Sequence, residues 1–233
     1  YTGLSRWISG EAARQHVHKE RAGYSSIMAG IGTVLADDPM LNARLEGAHQ
    51  PLRVICDSRL RIPEESKICR TAGSLRTVVA CAFDERDFEN NEKAARLEAL
   101  GIEVWNIPDK EKYPDDYSFR KNISDETKTH RVDLMALKRR LGKDGIDSIY
   151  IEGGGTLDFA ALRAGIVDHV CAYIAPKLIG GRDAKTPVEG IGVNSPSEAF
   201  MLKNLKTTML GEDILLEYDI SRKHALKKSD NET

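Results

Sequence analysis

The sequence predicts an α/β fold with a mainly parallel central sheet flanked by helices on both faces. Three observations carry that prediction. Strand-like and helix-like segments alternate along most of the 233 residues. The strand-like runs are short and rich in β-branched residues. A triple glycine, Gly153, Gly154 and Gly155, joins one such run to a helix-like run, where ligands of open parallel sheets sit.

The elements follow in order. A helix is predicted over 9–21, with Ser9 as its N-cap and Glu11 near its positive end. Strands are predicted over 26–29, 52–56 and 76–81. Ala94, Leu97 and Leu100 share one side of a helix over 92–100 that Gly101 stops. Residues 102–105 return to strand. Leu134, Leu137, Lys138 and Leu141 recur at helical spacing over 132–141, before Gly142. A strand ends at Ile151, and Leu157, Ala160, Ala161 and Ala164 then mark a helix from about Thr156 to Gly165. Two strands remain, over 169–174 and, as an edge strand, over 213–218. The polar stretch 108–130 has no apolar period and reads as a surface loop, and 221–233 as a charged, frayed tail. A reading of 1–220 as one domain follows.

With 41% hydrophobic and 30% charged residues, the composition is that of a globular protein. A formal net charge of −2 offers no bulk attraction to nucleic acid or an anionic membrane. No apolar run is long enough to span a bilayer. Cys56, Cys69, Cys81 and Cys171 form no C-x-x-C pair, so they read as reduced thiols of a cytoplasmic protein and not as a disulfide frame or zinc site. No metal is expected.

Local chemistry leaves each candidate with two readings. Glycines after a strand let a ligand approach the backbone, and a helix N-terminus there offers free N–H groups to phosphate; tight turns use the same residues. Glu152, just ahead, is either a ligand-facing carboxylate or a cap on nearby N–H groups. Arg14, His18 and Arg21 share one helix face, which by itself reads as a solvated stripe. Thr33, Asp37 and Ser58 read locally as turn residues, and Trp7 as a packing anchor. Neither the triple glycine nor Gly30-Ile31-Gly32 is a G-x-G-x-x-G dinucleotide fingerprint.

Five blocks lift these readings out of the generic. SRWISGEAAR (5–14), GIGTVLADDP (30–39) with Leu41 and Arg44, QPLRVICDS (50–58), IEGGGT (151–156) and YIAPKLIGG (173–181) occur in one order. Together they resemble the reductase domain of the riboflavin-biosynthesis deaminase–reductase over roughly residues 2–220. The resemblance implies a dihydrofolate-reductase-like fold, NADPH as cofactor and a homodimer. It also implies reduction of the ribosyl group of 5-amino-6-(5-phosphoribosylamino)uracil to ribityl. Carried over residue by residue, it makes Ser5, Arg21, Leu41, Arg44 and Glu152 substrate contacts, with Glu152 also the catalytic candidate. It makes Trp7, Thr33, Asp37, Ser58, Gly154, Gly155, Thr156, Leu157, Asp158, Phe159 and Ala160 cofactor contacts, the glycine turn lying along the diphosphate. Arg14 and His18 stay with the solvated stripe.

The family's opening strand, a Ser-x-Asp-Gly-Lys-like segment carrying a site lysine, is not found ahead of Thr2. The deaminase signature is also absent, so this chain is expected to reduce and not to deaminate, as a unit fused to or excised from a deaminase domain. Two alternatives remain. One is reduction of the still-aminated 2,5-diamino-6-ribosylamino-pyrimidinone 5′-phosphate, and the other a non-catalytic nucleotide- or phosphosugar-binding module.

Overall fold

The computed structural model describes residues 8–84, 86–109, 131–181, 184 and 186–221. Chain order is α1 (Glu11–Gly23), β1 (Ser26–Gly30), α2 (Ile31–Asp37), β2 (Leu52–Cys56), α3 (Lys67–Arg70), β3 (Thr77–Cys81), α4 (Phe88–Ala99) and β4 (Glu103–Asn106). It continues with α5 (Leu134–Lys143), β5 (Ile149–Ile151), α6 (Gly155–Arg163), β6 (His169–Ile174), a 3-10 turn (Pro196–Glu198), β7 (Leu202–Leu210) and β8 (Asp213–Ile220).

Five strands form a wholly parallel sheet in the order β4-β3-β2-β1-β5. Successive residues point to opposite faces. Ile27, Ile55 and Val79 therefore pack with Ile31, Val34, Ile68 and Leu97 on one side. Met28, Val54, Val78 and Ala80 pack with Leu137, Leu141, Leu157 and Ala161 on the other. Burial on both faces is why these strands read as continuous apolar runs. Side-chain caps start the helices where the chain leaves the sheet: Asp87 accepts from Asn90 N–H at 3.1 Å and Asp133 from Ala136 N–H at 2.8 Å.

A second sheet, antiparallel and three-stranded, has the order β6-β8-β7. The segment 213–218, expected as an edge strand, is thus part of its central strand. β7, unforeseen, takes the edge, because its Lys203, Lys206, Thr207 and Thr208 hide any apolar alternation. Among the described residues β5 pairs only with β1, and β6 only with β8. Tyr150 on β5 neighbours Tyr173 on β6, and burial first, then that neighbour, pushes the Tyr150 hydroxyl above its ordinary range. His16 of α1 reaches Tyr173 Oη at 2.9 Å.

Two further expectations change. Helix α1 starts at Gly10 without a side-chain cap, and Asp213 takes the Gly10 N–H at 2.6 Å in place of Ser9. The segment around Thr33 is a short helix, not a turn. Asp109 N–H donates to Arg131 O at 2.8 Å, and the loop expected over 110–130 and the tail over 222–233 lie outside the described residues.

Candidate functional site

Because β1, β2 and β5 run parallel, their carboxyl ends present α2, Asp57–Ser58 and Glu152–Gly154 along one rim. Backbone bonds stitch that rim together. Glu152 N–H donates to Met28 O at 2.9 Å and Gly30 N–H to Gly153 O at 3.1 Å. Gly154 N–H donates to Thr33 Oγ1 at 3.2 Å. Gly153 sits at φ +63°, a left-handed conformation that favours glycine. Gly155 is glycine for a different reason: a Cβ there would lie 2.7 Å from the Glu189 backbone nitrogen, whose N–H donates to Gly155 O at 3.0 Å. Packing of the loop around Glu189 explains that residue without a ligand.

The centre of the site is an ion pair across the rim. From the last turns of α1, Arg21 meets both carboxylate oxygens of Glu152, Nε to Oε1 at 2.5 Å and NH2 to Oε2 at 2.6 Å. Only 13% and 15% of the two side chains are exposed. A bidentate pair of this kind fixes the carboxylate plane. The third Arg21 bond, NH1 to Asn42 O at 3.2 Å, ties in the loop that carries Leu41 and Arg44. Arg53 NH1 holds the same loop at Met40 O, 3.3 Å, and Gln50 Nε2 holds it at Ala43 O, 3.0 Å. Within it Leu41 has φ +47°, an unfavourable value for a branched residue, and its side chain is core. What Leu41 offers a ligand is therefore backbone. Arg44 is exposed and makes no hydrogen bond among the described residues.

Two neighbours escaped the sequence reading. His18 is half-buried instead of solvated, and its Nδ1 is inaccessible and, among the described residues, without a hydrogen-bond partner. Burial first, then the charges of Arg21 and Arg44, hold its imidazole below the ordinary histidine range, with Glu152 opposing. Asn42 Oδ1 is likewise inaccessible and unpartnered among the described residues. A polar stripe on one helix looks solvated until the packing against it is known, and nothing local to Asn42 marks it.

The remaining candidates fall into three groups. Ser5 and Trp7 lie outside the described residues. Thr33 and Ser58 stand on the rim, Ser58 accepting Ala82 N–H at its carbonyl at 3.1 Å, and exposed Asp37 closes α2. At the start of α6 the N-cap Gly154 and Thr156 are exposed, and the first N–H groups lack intrahelical partners. Leu157 and Phe159 are buried and Ala160 packs on the core, so their side chains position the helix. Burial pushes the Asp158 carboxyl up to about 6.

Among the described residues, His169, Cys171 and Glu217 form one group with metal-ligand atoms within 4.8 Å of one another. It belongs to the β6–β8 pair, not the rim. Lys206 already occupies Glu217 at 2.8 Å, and burial pushes the Cys171 thiol up to about 11, which disfavours the thiolate a metal needs.

Comparison with known proteins places this arrangement. The RibD C-terminal domain profile matches residues 1–216. The riboflavin biosynthesis protein RibD of Actinobacillus pleuropneumoniae is 42% identical over 217 residues, 93% of this chain and 52% of that protein. The 2,5-diamino-6-ribosylamino-4(3H)-pyrimidinone 5′-phosphate reductase of Methanothermobacter thermautotrophicus is 36% identical over 223 residues, 94% of this chain and 90% of that protein. A solved structure of Acinetobacter baumannii RibD superposes with a TM-score of 0.72 at 28% identity, over 95% of this chain and 54% of that one. The chain spans about half the length of the RibD relatives it matches, as the 52% coverage of the Actinobacillus protein shows.

Proposed function

This chain belongs to the RibD C-terminal domain family, and from that premise we propose that it catalyses the reductase step of riboflavin biosynthesis. The substrate on this reading is 5-amino-6-(5-phosphoribosylamino)uracil, reduced with NADPH to the ribityl compound in the cytoplasm. The reductase unit is residues 1–220, working beside a deaminase on the same or a separate chain. The observation that carries the reading is the bidentate Arg21–Glu152 pair, set on the rim between an exposed arginine and the outward start of α6.

A nicotinamide cofactor fits the residues present. Gly154 carries no side chain, Thr33 and Thr156 offer hydroxyls beside it, and α6 opens with N–H groups that suit a diphosphate. When bound, the nicotinamide supplies a hydride to C1′ of the ring-opened ribosylamine. The imine nitrogen takes up a proton, so the substrate gains two hydrogens. Arg44 anchors the phosphate with charge-assisted bonds. Glu152 orients the ribosyl group: with both oxygens held by Arg21 it suits a fixed acceptor better than a proton donor, which would surrender one of those bonds. Arg21 is accordingly the residue that positions Glu152 and the Asn42 carbonyl.

A second reading keeps the fold and cofactor and takes the 2,5-diamino pyrimidinone instead. It is favoured by the resemblance over 90% of the Methanothermobacter reductase's own length. Supplying each pyrimidine with NADPH, and with NADH as a control, separates the two. Oxidation with the uracil substrate and appearance of its ribityl product supports the first, oxidation only with the diamino compound the second, and oxidation with neither rejects both. A homodimer is part of the proposal, supported by the exposed apolar side chains Leu202, Leu205 and Met209 along β7. Light scattering reporting a monomer at micromolar concentration would reject it.

A further inference from the structure

We propose that His18 Nδ1 and Asn42 Oδ1 are the groups that read the sugar hydroxyls of the substrate, a role separate from phosphate capture. The inference rests on the reductase reading above. Both atoms are buried and lack a hydrogen-bond partner among the described residues, and a buried polar atom left unpaired costs free energy that a ligand hydrogen bond recovers. Both residues flank the Arg21–Glu152 pair: His18 lies one turn before Arg21 on α1, and the backbone carbonyl of Asn42 receives Arg21 NH1 at 3.2 Å.

Their chemistry selects the ligand group. A carbonyl oxygen such as Asn42 Oδ1 only accepts, so it repels a phosphate oxygen and takes an O–H or N–H. An imidazole kept neutral among arginines donates from one nitrogen and accepts at the other. A hydroxyl is the partner that suits both, because it donates to one atom and accepts from, or donates to, the other. Exposed Arg44 has the opposite character, a fixed cation with no acceptor, fitted to the phosphate end. Two neutral groups and one cation therefore divide a phosphorylated sugar between them.

The test uses binding and turnover. Ribose 5-phosphate, 2-deoxyribose 5-phosphate and inorganic phosphate are titrated calorimetrically into the wild-type chain and into His18→Phe, Asn42→Leu and Arg44→Ala. The wild-type chain is expected to prefer ribose 5-phosphate over inorganic phosphate. Each of His18→Phe and Asn42→Leu should reduce that preference about 10-fold, the scale of one lost hydrogen bond to a desolvated group, with inorganic phosphate affinity unchanged. Arg44→Ala should weaken all three ligands alike. His18→Gln, which keeps a polar amide, should recover part of the preference, and Asn42→Leu decides alone if His18→Phe does not fold. Variants that lose sugar phosphate and inorganic phosphate equally, or that lose neither, overturn the proposal. Turnover of the pyrimidine by the wild-type chain is read alongside. Absence of turnover rejects the reductase reading, whereas turnover with unaltered KM in both variants rejects only this inference.

Discussion

Two arginines, buried Arg53 and half-buried Arg21, show how differently one side chain is used in this molecule. Arg53 lies inside the parallel sheet with 0% of its surface exposed. Its guanidinium donates to the hydroxyls of Thr71 and Thr77 and to the carbonyls of Met40, Ile68 and Leu75 at 2.6 to 3.3 Å. Every partner is neutral, and burial lowers its pKa to about 10. Arg21 instead places two of its bonds on one carboxylate at the rim, and His18 Nδ1 on its own helix and Asn42 Oδ1 on the loop it holds have no hydrogen-bond partner among the described residues. Complete satisfaction marks a structural clamp. Incomplete satisfaction around a held charge marks a place prepared for something else.

The largest expected effect tests the first half of that contrast. Arg53→Ala should lose roughly 3–5 kcal/mol of stability, as removal of a buried, fully bonded charged group does, seen as a lowered denaturant midpoint. Since Arg53 also holds Met40 O, the Leu41–Arg44 loop should loosen with it. Arg21→Ala should instead keep the fold with a smaller loss and lower kcat/KM by about 100-fold, the cost of a misplaced orienting group. A stability loss as large for Arg21 as for Arg53 breaks the comparison.

Next, Arg44→Ala should raise KM for the phosphorylated pyrimidine by roughly 10- to 100-fold while barely moving KM for NADPH, consistent with about 1.5–3 kcal/mol for a charge-assisted bond. Equal shifts in both constants would remove Arg44 from the phosphate end.

The smallest effect concerns Asp158, the half-buried acid of α6. Its folded pKa of about 6 lies above its ordinary 3.8, so the fold favours the protonated form. That contribution is fully present below pH 3.8 and is lost as pH rises through about 6. Asp158→Asn should therefore be more stable than wild type at pH 7, by on the order of 1 kcal/mol after discounting for partial exposure, and no more stable at pH 3. Parallel stability–pH curves for the two proteins would contradict this.

How far these sites were legible in the sequence follows from the same physics. The parallel sheet was readable because strands such as Thr77–Cys81 are buried on both faces and can only be apolar. β7 was not, since lysines and threonines on an exposed strand carry no period, and its absence made β8 look like an edge. The blocks around Glu152 and Arg44 were visible as motifs. The meeting of Arg21 with Glu152, 131 positions apart, was not, because packing across the fold decides it. His18 was misjudged for the same reason: helical spacing fixes which residues share a face, and the opposing segment decides whether that face is wet.

The central claim is that a carboxylate clamped by Arg21 orients a phosphorylated ribosylamine for reduction. Its most direct test follows NADPH oxidation by wild-type chain and Glu152→Gln at saturating cofactor. The account predicts pyrimidine-dependent oxidation by the wild type and about a 100-fold lower kcat/KM for the variant, with NADPH affinity retained. No pyrimidine-dependent oxidation by the wild type, or wild-type rates in Glu152→Gln, would contradict it.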